Sequence, residues 1–193
     1  MSKKAKLAYR PIGLAGGIAA GVISGAIFKQ SWKVVAKEED APSALHRSQS
    51  DLPFVDIGPS GLLQLLQVDL ANGVWVVRNR FPAAGTTLQT HRHTGHVHAF
   101  TQRGSWHYLE SPEAVNGAGS YLFEPAGSVH TLHVPGGAEE TEVCFTISGA
   151  NLNLAADGTI ESVVDASAIL LAYRALCEAQ HGLADPPVVV IGG

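Results

Sequence analysis

From about Leu52 onward, short apolar or alternating segments are separated by turn residues. Three pairs of these segments are joined by dipeptides that end in glycine: Asn72-Gly73, Arg103-Gly104 and Asp157-Gly158. Asn-Gly between two apolar runs is a strong local signal for a β-hairpin. The predicted strands are 62–70, 74–79, 96–102, 105–110, 121–124, 129–134, 141–147, 151–155 and 159–164. Many short strands with glycine turns predict an all-β protein, either a β-barrel or a double-sheet jelly roll.

One helix is predicted after these strands. Its apolar residues recur at helical spacing and are Ile169, Leu170, Tyr173, Leu176 and Cys177. Asp165 or Ser167 can cap the start of this helix, and Gly182 can close its end. We therefore predict a β domain with a C-terminal helix over residues 50–182, and a tail over residues 183–193.

The first forty residues have a different pattern. Residues 12–28 contain no charged residue and one polar side chain, while lysines and an arginine flank them on both sides. Seventeen residues are near the lower limit for a membrane-spanning helix, which needs about 20. Glycine recurs at every fourth position from Gly17 to Gly25, and such a stripe lets two helices approach closely in lipid. We predict a glycine-rich apolar helix and a polar linker over residues 1–43.

Three interpretations of residues 12–28 stay open: a short membrane anchor or half of a helical hairpin, a soluble helix or tail, and a cleaved signal peptide. The last lacks a good A-x-A cleavage site. The stretch up to Pro42 resembles the first helix of a small actinobacterial membrane-protein family of unknown function, whose second helix has no counterpart here. The first interpretation predicts a membrane-associated protein with a cytoplasmic C-terminal domain, and the second a cytoplasmic protein.

Composition and charge exclude several classes of protein. Charged residues make up 16% of the chain and hydrophobic residues 46%, which excludes an intrinsically disordered protein. The formal net charge of −4 argues against nucleic acid as a partner. Cys144 and Cys177 are far apart in the sequence, so neither a disulfide scaffold nor a cysteine-built zinc site is expected.

The placement of the nine histidines is the most informative feature. His91 and His93 are two positions apart, so on an extended segment both imidazoles point to the same side. His130 follows the tight turn at 125–127, and inward-facing residues of neighbouring strands converge in a small barrel. Imidazole binds iron, zinc, nickel and copper. We predict that His91, His93 and His130 bind one metal ion.

The stretches FPAAGTTLQTHRHTGHVHAFTQRGSWHYLE and GSYLFEPAGSVHTL carry the spacing of the two cupin motifs. They resemble the ChrR-like cupins related to 2,4'-dihydroxyacetophenone dioxygenase and to the acetylacetone-cleaving dioxygenase. The resemblance spans about residues 50–180 and is densest over 85–134. It implies a jelly-roll barrel with a three-histidine Fe(II) site. It also implies that a small ketone and O₂ are the partners, and that the C–C bond beside the carbonyl is cleaved.

The chain departs from the cupin pattern at one position. The first motif normally carries a ligating glutamate seven residues before its closing glycine, Gly104, and Val97 stands there. His98 could replace that glutamate only if the strand shifted by one residue, which would reverse its faces, so a role for His98 stays open. Three neutral imidazoles would leave the +2 charge of the ion uncompensated, which favours a chelating anionic substrate such as an enolate.

The resemblance also implies a role for Glu124, which matches a carboxylate just behind the metal ligands of the acetylacetone-cleaving enzyme. Such a carboxylate can accept an imidazole N–H or orient a water molecule. The alternative is an ordinary solvated glutamate at a strand end. Aromatic residues near the motifs are predicted to line the pocket or the core: Phe100, Trp106, Tyr108 and Phe145. Arg80 and Glu110 are further polar candidates for the pocket.

The predicted function is an Fe(II)-dependent dioxygenase acting on a hydroxyketone or diketone. The alternative is a metal-binding sensor or regulatory domain of the anti-sigma-factor type, which has an extra N-terminal histidine–cysteine zinc motif. Residues 1–50 contain no cysteine and only His46. A third hypothesis is a metal-free cupin with a structural role. Zinc and other divalent metals bind imidazoles as well as iron does, so the metal stays open, as does a homodimer.

Overall fold

The computed structural model describes residues 52–137 and 139–192. These residues form β-strands, one 3₁₀ turn at Gly58–Ser60 and one α-helix, α1, at Ala166–His181. The strands are β1 Val55–Asp56, β2 Leu62–Asp69, β3 Val74–Phe81, β4 Thr86–Thr87, β5 His91–His93, β6 Val97–Arg103, β7 Ser105–Tyr108, β8 Ser111–Gly117, β9 Tyr121–Glu124, β10 Val129–His130, β11 Leu132–Val134, β12 Thr141–Ser148, β13 Asn151–Leu154, β14 Ile160–Val164 and β15 Val189–Ile191. The predicted all-β fold with a C-terminal helix is confirmed.

The strands lie in three sheets. The largest has the order β1-β2-β3-β12-β6-β9, with β15 added beside β2. Two four-stranded sheets have the orders β10-β5-β13-β14 and β4-β11-β7-β8. The pairs are antiparallel except for β15 with β2. The largest sheet and the β5 sheet each supply residues to the centre described below.

Alternation along the central strands separates a buried face from an outer face. In β3, the buried residues are Trp75, Val77, Asn79 and Phe81. In β12, Val143, Phe145 and Ile147 lie directly opposite Asn79, Val77 and Trp75. Cross-strand partners point to the same side of a sheet, so this register builds one continuous inner wall. Asn79 is the polar member of that wall.

The hairpin predictions that rest on glycine are confirmed. Gly73 and Gly104 adopt the left-handed region, with φ of 64° and 72°, which side chains other than glycine rarely occupy. At Gly104 a Cβ atom would lie 2.2 Å from Oγ1 of Thr141. Gly104 therefore both turns the chain and lets β12 approach the end of β6.

Helix α1 begins and ends as predicted. The backbone N–H of Ala168 donates to Oδ1 of Asp165 at 2.8 Å, so Asp165, and not Ser167, caps the helix. Gly182 closes it in the left-handed conformation, with φ of 64°. The hydroxyl of Tyr173 donates to the carbonyl of Pro53 at 2.6 Å, which ties α1 to the segment before β1.

Two predictions about strands differ from the structure. The segment 129–134 is not one strand but two, because β10 joins the β5 sheet and β11 joins the β7 sheet. The segment 183–193 is not simply a tail, since Val189–Ile191 pairs in parallel with Gln67–Asp69. The β-branched run Val188–Ile191 has a high strand propensity, and Val188 is buried.

The predicted apolar helix at 12–28 and the linker that follows it lie outside the described residues. Within the ranges that the structure does describe, there is no helix of sufficient length and hydrophobicity to cross a membrane.

Candidate metal centre

His91 and His93 lie on β5 and point inward, while Arg92 between them is exposed. His130 lies on β10 directly opposite His91. The turn before β10 is held against β5 by two hydrogen bonds. The N–H of Gly127 donates to the carbonyl of His93 at 2.8 Å, and the N–H of His93 donates to the carbonyl of Ser128 at 3.1 Å. Local strand pairing therefore places the third histidine beside the first two.

The three imidazoles converge on one point inside the barrel. The ring centroids are 4.8 Å apart for His91 and His93, 4.8 Å for His91 and His130, and 5.0 Å for His93 and His130. One ring nitrogen from each lies within 4.8 Å of the other two, and Nε2 of His93 is 3.1 Å from Nε2 of His130. All three side chains are buried. The structure thus brings together the three histidines that the spacing singled out.

The surroundings of His91 fix its orientation and its charge. Its Nδ1 lies 2.9 Å from the carbonyl oxygen of Gln89, so Nδ1 carries the hydrogen and Nε2 keeps its lone pair. Burial lowers the pKa of His91 to about 4, although the Gln89 carbonyl acts in the opposite direction. His91 is therefore neutral at pH 7, which is the form that binds a metal ion.

A carboxylate lies beside the imidazoles. Oε2 of Glu124 is 2.9 Å from Nε2 of His93 and 3.2 Å from Nε2 of His130, and the side chain is only 4% exposed. This oxygen has no hydrogen-bond partner among the described residues. Burial by itself would raise the pKa of Glu124, but contacts with His130 and His93 outweigh burial and lower that pKa. The carboxylate is therefore ionised at neutral pH.

Tyr108, on β7, contacts the other carboxylate oxygen of Glu124, Oε1. The phenol O–H donates to Oε1 of Glu124. The ring of Tyr108 also stacks on that of His130, with centroids 4.0 Å apart and planes 16° apart. Burial, reinforced by the charge of Glu124, raises the pKa of Tyr108. Tyr108 is thus a protonated donor that orients the carboxylate.

The position of Glu124 differs from the sequence-based expectation. Glu124 lies directly opposite Val97 in the pairing of β9 with β6. Val97 is the position where the first cupin motif normally carries its glutamate. In this chain the carboxylate at that level of the sheet is Glu124, on the adjacent strand. Its oxygen faces the same point as the imidazole nitrogens and does not lie behind them. The alternative of a solvated strand-end glutamate is wrong.

The donor atoms fit a bound metal ion. Nε2 of His93 and Nε2 of His130 are 3.1 Å apart, and one ring nitrogen of His91 lies within 4.8 Å of the ligand nitrogens of both. Bonds of about 2.1 Å at right angles place neighbouring ligand atoms about 3 Å apart. The buried oxygen without a hydrogen-bond partner also indicates a missing cation. Imidazole and carboxylate donors suit the first-row transition metals, including the iron that the resemblance implies.

A cavity of about 380 Å³ opens from this cluster into the barrel. Of the four aromatic residues predicted near the site, Tyr108 and Phe145 line the cavity. Trp106 is fully buried in the core and donates through Nε1 to Oγ1 of Thr101 at 2.9 Å. Phe100 is on the outer face of β6 and is 51% exposed. The prediction for Phe100 as a cavity residue is therefore wrong.

The remaining polar candidates lie away from the cavity. His98 is on the outer face of β6, with Nδ1 2.8 Å from the hydroxyl of Tyr121, so it is not a fourth ligand. Arg80 is on the outer face of β3 and pairs with Glu142 at 3.1 Å. Glu110 is exposed and accepts the N–H of Thr131 at 3.0 Å. Both Arg80 and Glu110 are structural contacts in this fold.

Sequence reasoning missed the amide side chains of the cavity wall. Asn151 and Asn153 lie directly opposite His93 and His91 in the pairing of β13 with β5, and both line the cavity. Asn79 lines it from β3. The alternation in VWVVRNRF places Asn79 on the same face as Trp75 and Val77. That alternation is the sequence signal from which Asn79 could have been predicted to face the cavity.

Two family models match the sequence. The model described as ChrR Cupin-like domain matches residues 43–151. A second model, a protein of unknown function (DUF4235), matches residues 9–55 and agrees with the resemblance found for the N-terminal segment. No curated protein matches the chain.

Solved structures share the fold. A protein of unknown function with a cupin-like fold from Ralstonia eutropha JMP134 has 33% sequence identity and a TM-score of 0.71, over 79% of this chain and 95% of that chain. An RmlC-like cupin protein from the same organism has 25% identity and a TM-score of 0.68, over 75% and 92% of the two chains. An acetylacetone dioxygenase from Acinetobacter johnsonii has 21% identity and a TM-score of 0.59, over 72% and 95%.

Proposed function

We propose that this chain, which belongs to the ChrR cupin-like domain family, is a non-haem Fe(II)-dependent dioxygenase that cleaves the C–C bond next to a carbonyl in a hydroxyketone or diketone. The observation that carries the proposal is the cluster of three buried imidazoles and one carboxylate at the end of a cavity of about 380 Å³. The acetylacetone dioxygenase with the same fold supports the choice of reaction.

His91, His93 and His130 would hold the ion, through the nitrogens that face the common point. Bound iron would supply Lewis-acid polarisation of a ketone oxygen and the redox chemistry of O₂. The Gln89 carbonyl fixes the ring of His91 from behind. Such contacts orient ligands and tune their basicity, so the chain provides a largely preformed site.

Glu124 is the candidate proton acceptor. A hydroxyketone or diketone must lose a proton to become an enolate, and the ionised carboxylate lies within 3.2 Å of two of the imidazole nitrogens. The hydrogen bond from Tyr108 holds one oxygen of Glu124, which leaves Oε2 to receive the proton.

Oxygen consumption by Fe(II)-reconstituted protein tests the proposal, with a panel of aryl hydroxyketones and 1,3-diketones as substrates. We expect Fe(II)-dependent uptake of O₂ with at least one ketone. His93→Ala should abolish the uptake, because it removes one of the three nitrogens. His98→Ala is the matched control, since that histidine is on the outer face, and its activity should equal that of the wild type.

Two results would contradict the proposal. Turnover that survives His93→Ala would show that the assigned centre is not the active site. Tight stoichiometric zinc without oxygen uptake by the iron form would instead support the metal-binding regulatory interpretation.

A further inference from the structure

The cavity has no cationic side chain. Among the described residues that line it, none is a lysine or an arginine, and Glu124 is the acidic one. Most of the wall is aliphatic or aromatic. Apart from Glu124, Tyr108, the imidazoles and the indole of Trp75, whose N–H donates to the carbonyl of Gly149, the polar side chains are one hydroxyl and four carboxamides: Ser60, Asn79, Gln89, Asn151 and Asn153. A carboxylate at the end of the substrate remote from the histidines would therefore meet no lysine or arginine among these residues.

The four carboxamides fall into two classes. Nε2 of Gln89 donates to the carbonyl of Leu154 at 3.0 Å, and Nδ2 of Asn153 donates to Oγ of Ser162 at 2.9 Å. These two amides therefore already hydrogen-bond other groups of the chain. Asn79 and Asn151 make no side-chain hydrogen bond with any residue in the described ranges, and Oδ1 of Asn151 is fully buried.

Asn79 is far from the histidine cluster along the sheet. Glu124 is opposite Val97, Val97 is opposite Ile147, and Ile147 is opposite Trp75. Asn79 follows Trp75 by four residues on the same strand, which corresponds to about 13 Å at about 3.3 Å per residue. One unpartnered amide, Asn151, thus lies beside His93, and the other lies at the opposite end of the wall.

The position of Asn79 calls for a hydrogen-bonding partner. Its neighbours on the inner face of β3 are Val77 and Phe81, and its cross-strand neighbour is Val143. An aliphatic residue would fit the alternation and would leave no amide unpaired. Asn79 is not among the residues with a fully buried, unpartnered side-chain atom, so its amide reaches the cavity and is available to hydrogen-bond a ligand there.

We propose that Asn79 determines substrate specificity by hydrogen bonding to a neutral polar group, a hydroxyl or a carbonyl, at the end of the substrate remote from the metal centre. The end of the substrate remote from the metal centre is then a neutral polar group, and the middle of the substrate is apolar. This inference rests on the proposed function, because it takes the cavity as the substrate site.

Binding to zinc-loaded protein tests this inference without turnover. The probes are acetophenone and 4'-hydroxyacetophenone, and isothermal titration calorimetry measures the dissociation constants. We expect the wild type to bind the hydroxylated probe about tenfold more tightly than acetophenone, the size of effect of one good hydrogen bond.

Asn79→Leu should reduce the preference for the hydroxyl to less than about twofold while keeping acetophenone binding. Asn153→Leu is the matched control and should keep the preference, since its amide is committed to Ser162. Asn79→Ala gives the same ratio if leucine disturbs the wall.

A preference that persists in both Asn79 variants would overturn the inference, as would no binding of either probe by the wild type. Failure of the dioxygenase proposal is distinguishable, because it would appear as absent oxygen uptake while the calorimetric ratios still depend on Asn79.

Discussion

Two buried glutamates of the same sheet have opposite surroundings. Glu124, on β9, faces the inside of the barrel, and Glu142, on β12, faces the outside. Burial by itself would raise the pKa of each carboxyl, yet in both cases the contacts outweigh burial and the pKa is lowered. The partners that do this are imidazoles for Glu124 and guanidinium groups for Glu142.

Glu142 is fully paired within the chain. Nε of Arg78 donates to Oε1 of Glu142 at 2.6 Å, and Nε of Arg80 donates to Oε2 at 3.1 Å. The ring of Phe54 covers both guanidinium groups, at 5.5 and 4.2 Å from its centroid. The buried charge of Glu142 is therefore compensated by two guanidinium groups of the same chain, as a buried charge requires.

Glu124 contacts no lysine or arginine in the part of the chain that the structure describes. Its partners are two imidazoles and a phenol, which carry no fixed positive charge. The contrast teaches that burial and a lowered pKa do not by themselves mark a functional carboxylate. What distinguishes Glu124 is that it lines the cavity and contacts imidazoles that can bind a metal ion.

The largest expected effect is that of Glu124→Gln on turnover. Glutamine has nearly the same shape but cannot accept a proton, so oxygen uptake should fall by about 10² to 10⁴-fold, the usual contribution of a general base. The metal content should remain at one ion per chain, and the melting temperature should not fall. Oxygen-electrode assays and elemental analysis measure these quantities. Unchanged turnover would refute the role of Glu124, and loss of the ion would show that the carboxylate is a required ligand.

Glu142→Gln should affect stability and leave the metal centre intact. Removing the charge leaves two guanidinium groups partly buried without their carboxylate, which we expect to lower the free energy of unfolding by about 2 to 3 kcal/mol. Denaturant titration measures this change. Glu140→Gln is the control, because Glu140 is exposed and pairs with Arg103 at 3.2 Å, so about 1 kcal/mol or less is expected. Equal losses in the two variants would refute the distinction.

The smallest effect concerns the pH dependence of stability. Because the folded-state pKa of Glu142 is below its ordinary value of 4.5, its contribution is present above that value and is lost as the pH falls through the folded pKa. The difference in unfolding free energy between the wild type and Glu142→Gln should stay constant from about pH 7 to pH 5 and shrink below that. Denaturant titrations at a series of pH values check this, and a difference that grows on acidification would contradict it.

The parts of the fold that local chemistry determines could be predicted. Asn72-Gly73 and Arg103-Gly104 specify hairpins, and Asp165 with Gly182 delimits the helix, because these signals act within a few residues. Strand β8, with the sequence SPEAVNG, has no apolar alternation, so nothing in its sequence marks it as a strand. The pairing of β15 with β2 joins distant segments that no local signal connects.

The same division applies to the site. The spacing of His91 and His93 and the turn before His130 predict that the three rings come together. The position of Glu124 depends on the pairing of β9 with β6, which sequence does not specify. Phe100 is predicted to line the pocket or the core because its strand carries the first motif, but Val97 and Ala99 are the buried positions of that strand, and the alternation places Phe100 on the outer face. The side of the sheet to which a residue points is decided by its position in the alternation along the strand and not by its residue type.

The most direct test of the central claim is an anomalous difference map from crystals of the iron- or zinc-loaded protein. We predict one peak per chain inside the barrel, bonded to one ring nitrogen each from His91, His93 and His130. A cluster without a peak, or an ion bound only at His98 on the outer face, would contradict the account.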